Sequence, residues 1–79
     1  MPALNDIKEM IDILTIAITR EETEERFFRR SAEACKDEVA CRMFDEIAGE
    51  FESHKKSLEA RKAVLVTAMA DMVKIQPEG

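Results

Sequence analysis

The sequence predicts an all-α fold, in which a two-helix antiparallel hairpin dimerises into a four-helix bundle. The hairpin follows from a helix-favouring composition, an apolar repeat at steps of three and four residues, and one polar break near the middle. Of the 79 residues, only two are glycine and two are proline, so little interrupts a helix. A chain this short rarely buries an adequate core without a partner, a metal or disulfides.

The first helix is predicted from about residue 3 to residue 35. Pro2 or Asn5 is a suitable start, because both residue types are favoured at the beginning of a helix. Inside this segment, side chains recur at alternating steps of three and four residues, which keeps them on one helix face. This first stripe consists of Leu4, Ile7, Ile11, Leu14, Ile18, Glu21, Glu25, Phe28, Ala32 and Cys35.

The second helix is predicted from about residue 38 to residue 75. Residues 36–38 (KDE) form the polar break before it, and Asp37 is a good N-cap. Pro77 together with Gly79 should end it. The second stripe consists of Ala40, Phe44, Ile47, Phe51, His54, Leu58, Arg61, Leu65, Ala68 and Met72.

The apolar face is wider than one neighbouring helix can cover. Further apolar residues flank the stripes at Met10, Ile13, Ala17, Met43, Val64, Met69 and Val73. An exposed apolar surface of this size is typical of an interface. We therefore expect one domain over residues 1–79 that forms a two-fold homodimer, and thereby a four-helix bundle, or a higher homo-oligomer.

Charge and hydropathy exclude several other classes of partner. The formal net charge is −5, with acidic and basic residues interspersed, so neither a nucleic-acid footprint nor an anionic membrane surface is expected as a partner. No apolar run approaches the length of about 20 residues that a membrane span needs. The N-terminal residues show no signal-peptide pattern, and a cytoplasmic location is expected by default.

The chain has two cysteines, Cys35 and Cys41. Two thiolates alone do not complete a structural zinc site. In a reducing compartment they are predicted to be small apolar residues of the core. A disulfide across the turn is the less favoured alternative.

Carboxylates and a histidine interrupt the two stripes, although such groups are costly to bury without partners. Counted from Asp37, Glu21 lies 16 residues before the turn and His54 lies 17 residues after it. At about 1.5 Å per residue, the two side chains share one height on facing helices. Glu25 and Glu50 lie 12 and 13 residues from the turn, about one helical turn away. The four side chains are therefore predicted to form one cluster.

This cluster has two interpretations. Carboxylates and a neutral imidazole are suitable ligands for iron, manganese or zinc, and bundle cores build di-iron sites from inward Glu and His side chains. A glutamate can instead extend its carboxylate to the edge of the interface. A histidine facing it would then be a polar pair in an apolar core. The residues alone leave both interpretations open.

Three segments resemble the rubrerythrin-like proteins of the ferritin-like superfamily. Residues 17–28 (AITREETEERFF) are similar to the family's first helix, where a ligand glutamate is followed by six residues and a tyrosine. Residues 31–37 (SAEACKD) resemble the end of that helix and its Lys-Asp turn. Residues 44–54 (FDEIAGEFESH) resemble the second helix, which ends in Glu-x-x-His. The match needs no gap from Ala17 to about Leu58.

The resemblance implies iron binding, at a di-iron or mononuclear site, with ferroxidase or peroxide-reducing activity. Glu21 and His54 match the ligand positions of the family. Short two-helix members, such as the encapsulated ferritin-like proteins, resemble the chain in size and build their site across a subunit interface. An iron site shared by two copies is therefore expected from the resemblance.

Two positions depart from the family pattern. Phe51 stands where the bridging glutamate of Glu-x-x-His would be, and Phe28 stands where the tyrosine would be. Glu50 and Glu25 are candidates, from the residues alone, to complete the ligand set. Zinc or manganese is then an alternative to iron. If metal binding has been lost, the chain is instead a non-catalytic helical dimerisation or adaptor domain.

Overall fold

The computed structural model describes residues 3–75, which form two antiparallel helices. Helix α1 spans Leu4–Ala34 and helix α2 spans Glu38–Ile75, so the prediction of an all-helical chain with two helices is confirmed. The hairpin measures 65 × 17 × 14 Å. Within the described part of the chain, neither helix has an apolar stretch long enough to cross a membrane.

Helix α1 begins with a backbone hydrogen bond to an acidic side chain. The N–H of Ala3 donates to Oδ2 of Asp6 at 3.2 Å, which satisfies one donor at the start of the helix. Asn5 therefore lies inside the first turn and does not cap the helix. Pro2, the other predicted start, lies outside the described residues.

The turn between the helices occupies residues 35–37. Cys35 adopts an extended conformation, with φ −72° and ψ 146°, and this ends α1. Asp37 caps α2 as predicted, because its Oδ2 accepts a hydrogen bond from the backbone N–H of Ala40 at 3.0 Å. Pro77 and Gly79, the predicted end signals of α2, lie outside the described residues.

A disulfide joins Cys35 and Cys41 across this turn. The prediction that the two cysteines are unlinked apolar residues is therefore wrong. The tight turn brings their Cα atoms to 5.4 Å, which is within the range that a disulfide requires. The sequence places the two cysteines on either side of the predicted turn, but from the sequence alone the disulfide is the less favoured alternative because a reducing compartment is expected.

On α1, the residues that face the other helix are those of the predicted stripe. On α2, the face that contacts α1 is rotated about the helix axis relative to the predicted stripe. All ten residues of the first stripe are buried or half-buried. On α2, His54 and Arg61 are exposed, whereas Lys55 and Lys62 are half-buried. Lysine can cover apolar surface with its methylene stem while its ammonium group reaches the edge. Ala48 is completely buried, which lets the two helix backbones approach closely there.

Ion pairs close one edge of the contact between the helices. Guanidinium nitrogens of Arg29 lie 3.3 Å from Oδ1 of Asp45 and 3.1 Å from Oε2 of Glu52. Nζ of Lys55 lies 3.3 Å from Oε1 of Glu25. Partly exposed pairs each contribute little to stability, but these contacts connect α1 to α2 along one side of the hairpin.

The opposite edge is uncovered, and its end away from the turn is mostly apolar. A groove of about 450 Å³ runs there between the ends of the helices that lie away from the turn. Nearer the turn, Glu21 and His54 lie on the same side of the hairpin, because each is seven residues, or two helical turns, from a residue that lines the groove. We call this surface the open face, and its residues are Met10, Ile13, Leu14, Glu21, Glu50, His54, Arg61, Val64 and Leu65.

We expect the protein to self-associate through the open face. Ile13 is 65% exposed and Val64 is 68% exposed, and only Ile7 and Ala48 are buried hydrophobic residues within the described chain. Light scattering at micromolar concentration should therefore give at least twice the chain mass of 9.0 kDa. A monomer that unfolds cooperatively at this concentration would contradict the expectation.

Gly49, in the interior of α2, should tolerate alanine. Nothing lies within 4 Å of the position that its Cβ would occupy. Gly49→Ala should therefore raise the free energy of unfolding by about 0.5–1 kcal/mol, because glycine is costly inside a helix. Urea unfolding at one fixed protein concentration measures this, with Ala48→Gly as the reverse, destabilising control. A loss of stability in Gly49→Ala would show that a second copy packs against this side of α2.

Candidate metal centre

The two helices bring Glu21 and His54 together near the middle of the hairpin. Nδ1 of His54 lies 2.9 Å from Oε1 of Glu21, in agreement with their nearly equal distances from the turn. The Glu21 side chain is 18% exposed and the His54 side chain is 60% exposed. Glu21 therefore lies between the helices, and the imidazole lies beside it on the open face.

The second carboxylate oxygen of Glu21 lacks a hydrogen-bond partner. Within residues 3–75, Oε2 of Glu21 is the one buried side-chain oxygen or nitrogen in this condition. Burying a carboxylate oxygen without a partner is unfavourable, and native proteins rarely leave such an atom unsatisfied. Glu21 thus has an acceptor that a cation could use, directly beside an imidazole.

Glu25 is paired with cations instead of joining Glu21. Its Oε1 lies 3.3 Å from Nζ of Lys55, and its Oε2 lies 3.8 Å from a guanidinium nitrogen of Arg29. The hydrogen bond to Glu25 raises the pKa of Lys55 above its ordinary value, so Lys55 stays charged at neutral pH. The structure therefore places Glu25 in the ion-paired edge, where a charged lysine competes with any metal for its oxygens.

Glu50 lies on the open face but does not contact the pair. It is exposed and lies one helical turn from His54 on the same side of α2. Within the described chain, no three side chains of His, Cys, Asp and Glu come close enough to hold a metal ion together. One hairpin thus brings together only Glu21 and His54, which are too few ligands to hold a metal ion on their own.

Aromatic side chains occupy the two positions where the resemblance would place a bridging glutamate and a tyrosine. The rings of Phe28 and Phe51 lie 5.7 Å apart with their planes at 12°, and the ring of Phe44 lies 6.1 Å from Phe28. Counting residues from the turn gave no signal of the Phe28–Phe51 contact, because the two positions differ in height by more than one helical turn. The side chains do not fit a di-iron site with a bridging carboxylate, since Phe51 occupies the position where the resemblance would place that carboxylate.

Comparison of the chain with protein-family models, with curated proteins and with solved structures finds no match. The resemblance to the ferritin-like superfamily therefore stays a prediction from the residues that carry it. Glu21 and His54 can still be compared with the ligands that metal ions prefer. Two copies of the Glu21–His54 pair would supply two carboxylates and two imidazoles, which suit one zinc, iron or manganese ion.

Proposed function

We propose that the chain is a ferritin-like metal-binding protein that holds one transition-metal ion between two copies. The observation that supports this most directly is the buried, partnerless Oε2 of Glu21 beside an exposed His54. One hairpin offers too few ligands, and a two-fold homodimer doubles them. Iron is the first candidate because of the resemblance, with zinc and manganese as alternatives.

The chain's own residues have distinct roles in such a site. With the Nδ1 proton of His54 directed at Oε1 of Glu21, Nε2 is the nitrogen available to a metal. The same contact orients the imidazole ring, as carboxylates commonly do behind metal-binding histidines. Glu21 also supplies negative charge close to the ion. Iron, when bound, would supply the redox chemistry that ferroxidase or peroxide reduction requires.

Metal-dependent stabilisation tests this proposal. Protein purified without chelator or affinity tag should contain metal, and adding Fe²⁺ or Zn²⁺ to metal-free protein should raise its melting temperature. A ligand at a hundredfold excess over its dissociation constant stabilises the folded state by about 2.7 kcal/mol. Glu21→Gln and His54→Ala should each abolish the increase.

The matched control is Glu59→Gln, because Glu59 is an exposed carboxylate that lines a different hollow. It should keep the full metal-dependent increase. Glu50→Gln shows whether Glu50 completes the ligand set, since the increase then becomes smaller. A wild-type protein whose melting temperature is unaffected by iron, zinc and manganese would refute the proposed metal site.

A non-catalytic dimerisation or adaptor domain is the second candidate function. The stacked Phe28 and Phe51 favour it, because aromatic packing replaces the family's bridging carboxylate and tyrosine. In this case the open face would serve association alone. A metal effect that is absent in the wild type but present in Phe51→Glu would support this second candidate.

The cytoplasmic location expected from the sequence stays a prediction. The Cys35–Cys41 disulfide weighs against it, because stable disulfides are typical of oxidising compartments. The metal site does not depend on either location, since both cysteines lie at the turn, away from Glu21 and His54.

A further inference from the structure

We infer that two hairpins pair through their open faces in antiparallel orientation, with their turns at opposite ends. In this arrangement Arg61 of each copy lies opposite Glu50 of the other. The inference rests on the proposed homodimer and deepens it, because it specifies how the second copy is oriented. The evidence for this orientation is the distribution of charge on the open face.

Glu50, His54 and Arg61 lie on one side of α2. They are spaced four and seven residues apart, which returns each to nearly the same direction around the helix. Arg61 is the single charged residue among the six that line the groove. Neither Glu50 nor Arg61 forms an ion pair within residues 3–75. Opposite charges thus lie on either side of His54, one towards the turn and one away from it.

A two-fold axis between facing hairpins can run along the helices or across them. An axis along the helices keeps each residue at its own height and puts α2 opposite the α1 of the second copy. Glu50 would then face the level of Glu24, and Arg61 would face the level of Leu14. This arrangement sets a carboxylate against a carboxylate and an arginine against an apolar side chain, both of which are unfavourable.

An axis across the helices puts α2 opposite α2 and reverses the heights. The residue number midway between Glu50 and Arg61 is 55.5, only 1.5 residues from His54, which corresponds to about 2 Å along the helix. One axis therefore pairs Glu50 with Arg61 and also brings the two Glu21–His54 pairs opposite each other. Charge complementarity thus selects the antiparallel arrangement.

Apolar contacts agree with this arrangement without deciding it. Met43 is 55% exposed and Val64 is 68% exposed. With the axis at 55.5, Met43 lies opposite the level of Ala68 and Val64 lies opposite the level of Ile47, so apolar side chains meet at both levels. In the parallel arrangement Val64 would instead meet the level of Met10 and Ile11, which is equally apolar, so the charges carry the distinction.

A spin-label distance separates the two orientations. Asn5 is exposed in the first turn of α1 and lies 16 residues from Glu21. Labels on Asn5→Cys, in a Cys35→Ser/Cys41→Ser background, should be about 44 Å apart in the antiparallel dimer, twice the axial distance from Asn5 to the two-fold axis. A parallel dimer would place them about 15 Å apart, at the diagonal of a four-helix bundle. A distance near 15 Å would overturn the inference.

Charge reversal tests the Glu50–Arg61 pairing in the full chain. Arg61→Glu and Glu50→Arg should each raise the dimer dissociation constant about tenfold, because each turns two attractive pairs into two repulsive ones. The double variant should return to within about threefold of the wild type. Arg42→Glu and Glu59→Arg are matched controls at exposed positions outside the open face, and they should change the constant less than threefold. A double variant weaker than both single variants would overturn the pairing.

The orientation of the dimer and the metal site can be refuted separately. A short label distance with an intact metal-dependent increase in melting temperature refutes the orientation and leaves the metal site. A long label distance without any metal effect supports the orientation and refutes the metal site. A monomer by light scattering refutes both.

Discussion

Leu58→Ala should lower the free energy of unfolding by about 2–5 kcal/mol, the range for removing a leucine side chain from a packed interior. Leu58 lies on the predicted apolar stripe of α2, one helical turn from His54, and is half-buried within one hairpin. A second copy on the open face would complete its burial, so the upper part of the range applies to the dimer. Urea unfolding at one fixed protein concentration measures the change.

Lys56→Ala is the control for this truncation. The Lys56 side chain is 69% exposed, and its Nζ lies 3.1 Å from Oε1 of Glu52 one helical turn away. Exposed pairs of this kind contribute little, so its effect should stay within about 0.5 kcal/mol. Equal losses at Leu58 and Lys56 would show that the apolar stripe on α2 is assigned incorrectly.

Phe51→Glu should have two opposite effects, depending on whether metal is present. Without metal it should cost about 3–5 kcal/mol, because the stack with Phe28 is lost and a carboxylate enters a half-buried position. With iron or zinc present, the new carboxylate lies one helical turn before His54 and restores the family's Glu-x-x-His spacing. The increase in melting temperature on adding metal should therefore be larger than in the wild type.

Phe51→Gln is the matched control, because glutamine has the same size as glutamate and carries no charge. It should lose similar stability and gain nothing from metal beyond the wild-type increase. If both variants respond equally to metal, the carboxylate at this position does not reach the ion. The proposed site would then consist of Glu21 and His54 without room for a family-like third ligand.

The hairpin and its central pair could be predicted from the sequence because helical geometry is regular. The repeat of three and four residues defines one face of α1, and Asp37 marks the start of α2 by a local hydrogen bond. Glu21 and His54 meet because residues at equal distances from a tight turn share one height. Each of these inferences needs only local rules and a count of residues.

The rotation of α2 could not be predicted in the same way. Lys55 and His54 are neighbours in the sequence, and hydropathy alone gives no reason to place the lysine between the helices. The structure does so because Nζ of Lys55 reaches Glu25 while its stem covers apolar surface. His54 is thereby turned outward onto the open face, where a second copy can reach it.

A covalently closed turn restricts the routes by which two chains can combine. Helical hairpins with short turns can form domain-swapped dimers, in which the turn straightens and each chain donates one helix to the other. The bond between Cys35 and Cys41 closes a loop that contains the turn, so an oxidised chain cannot straighten there. Two oxidised copies could therefore combine only as intact hairpins. In any such assembly, every Glu21–His54 contact is made within one polypeptide and exists before the second copy binds.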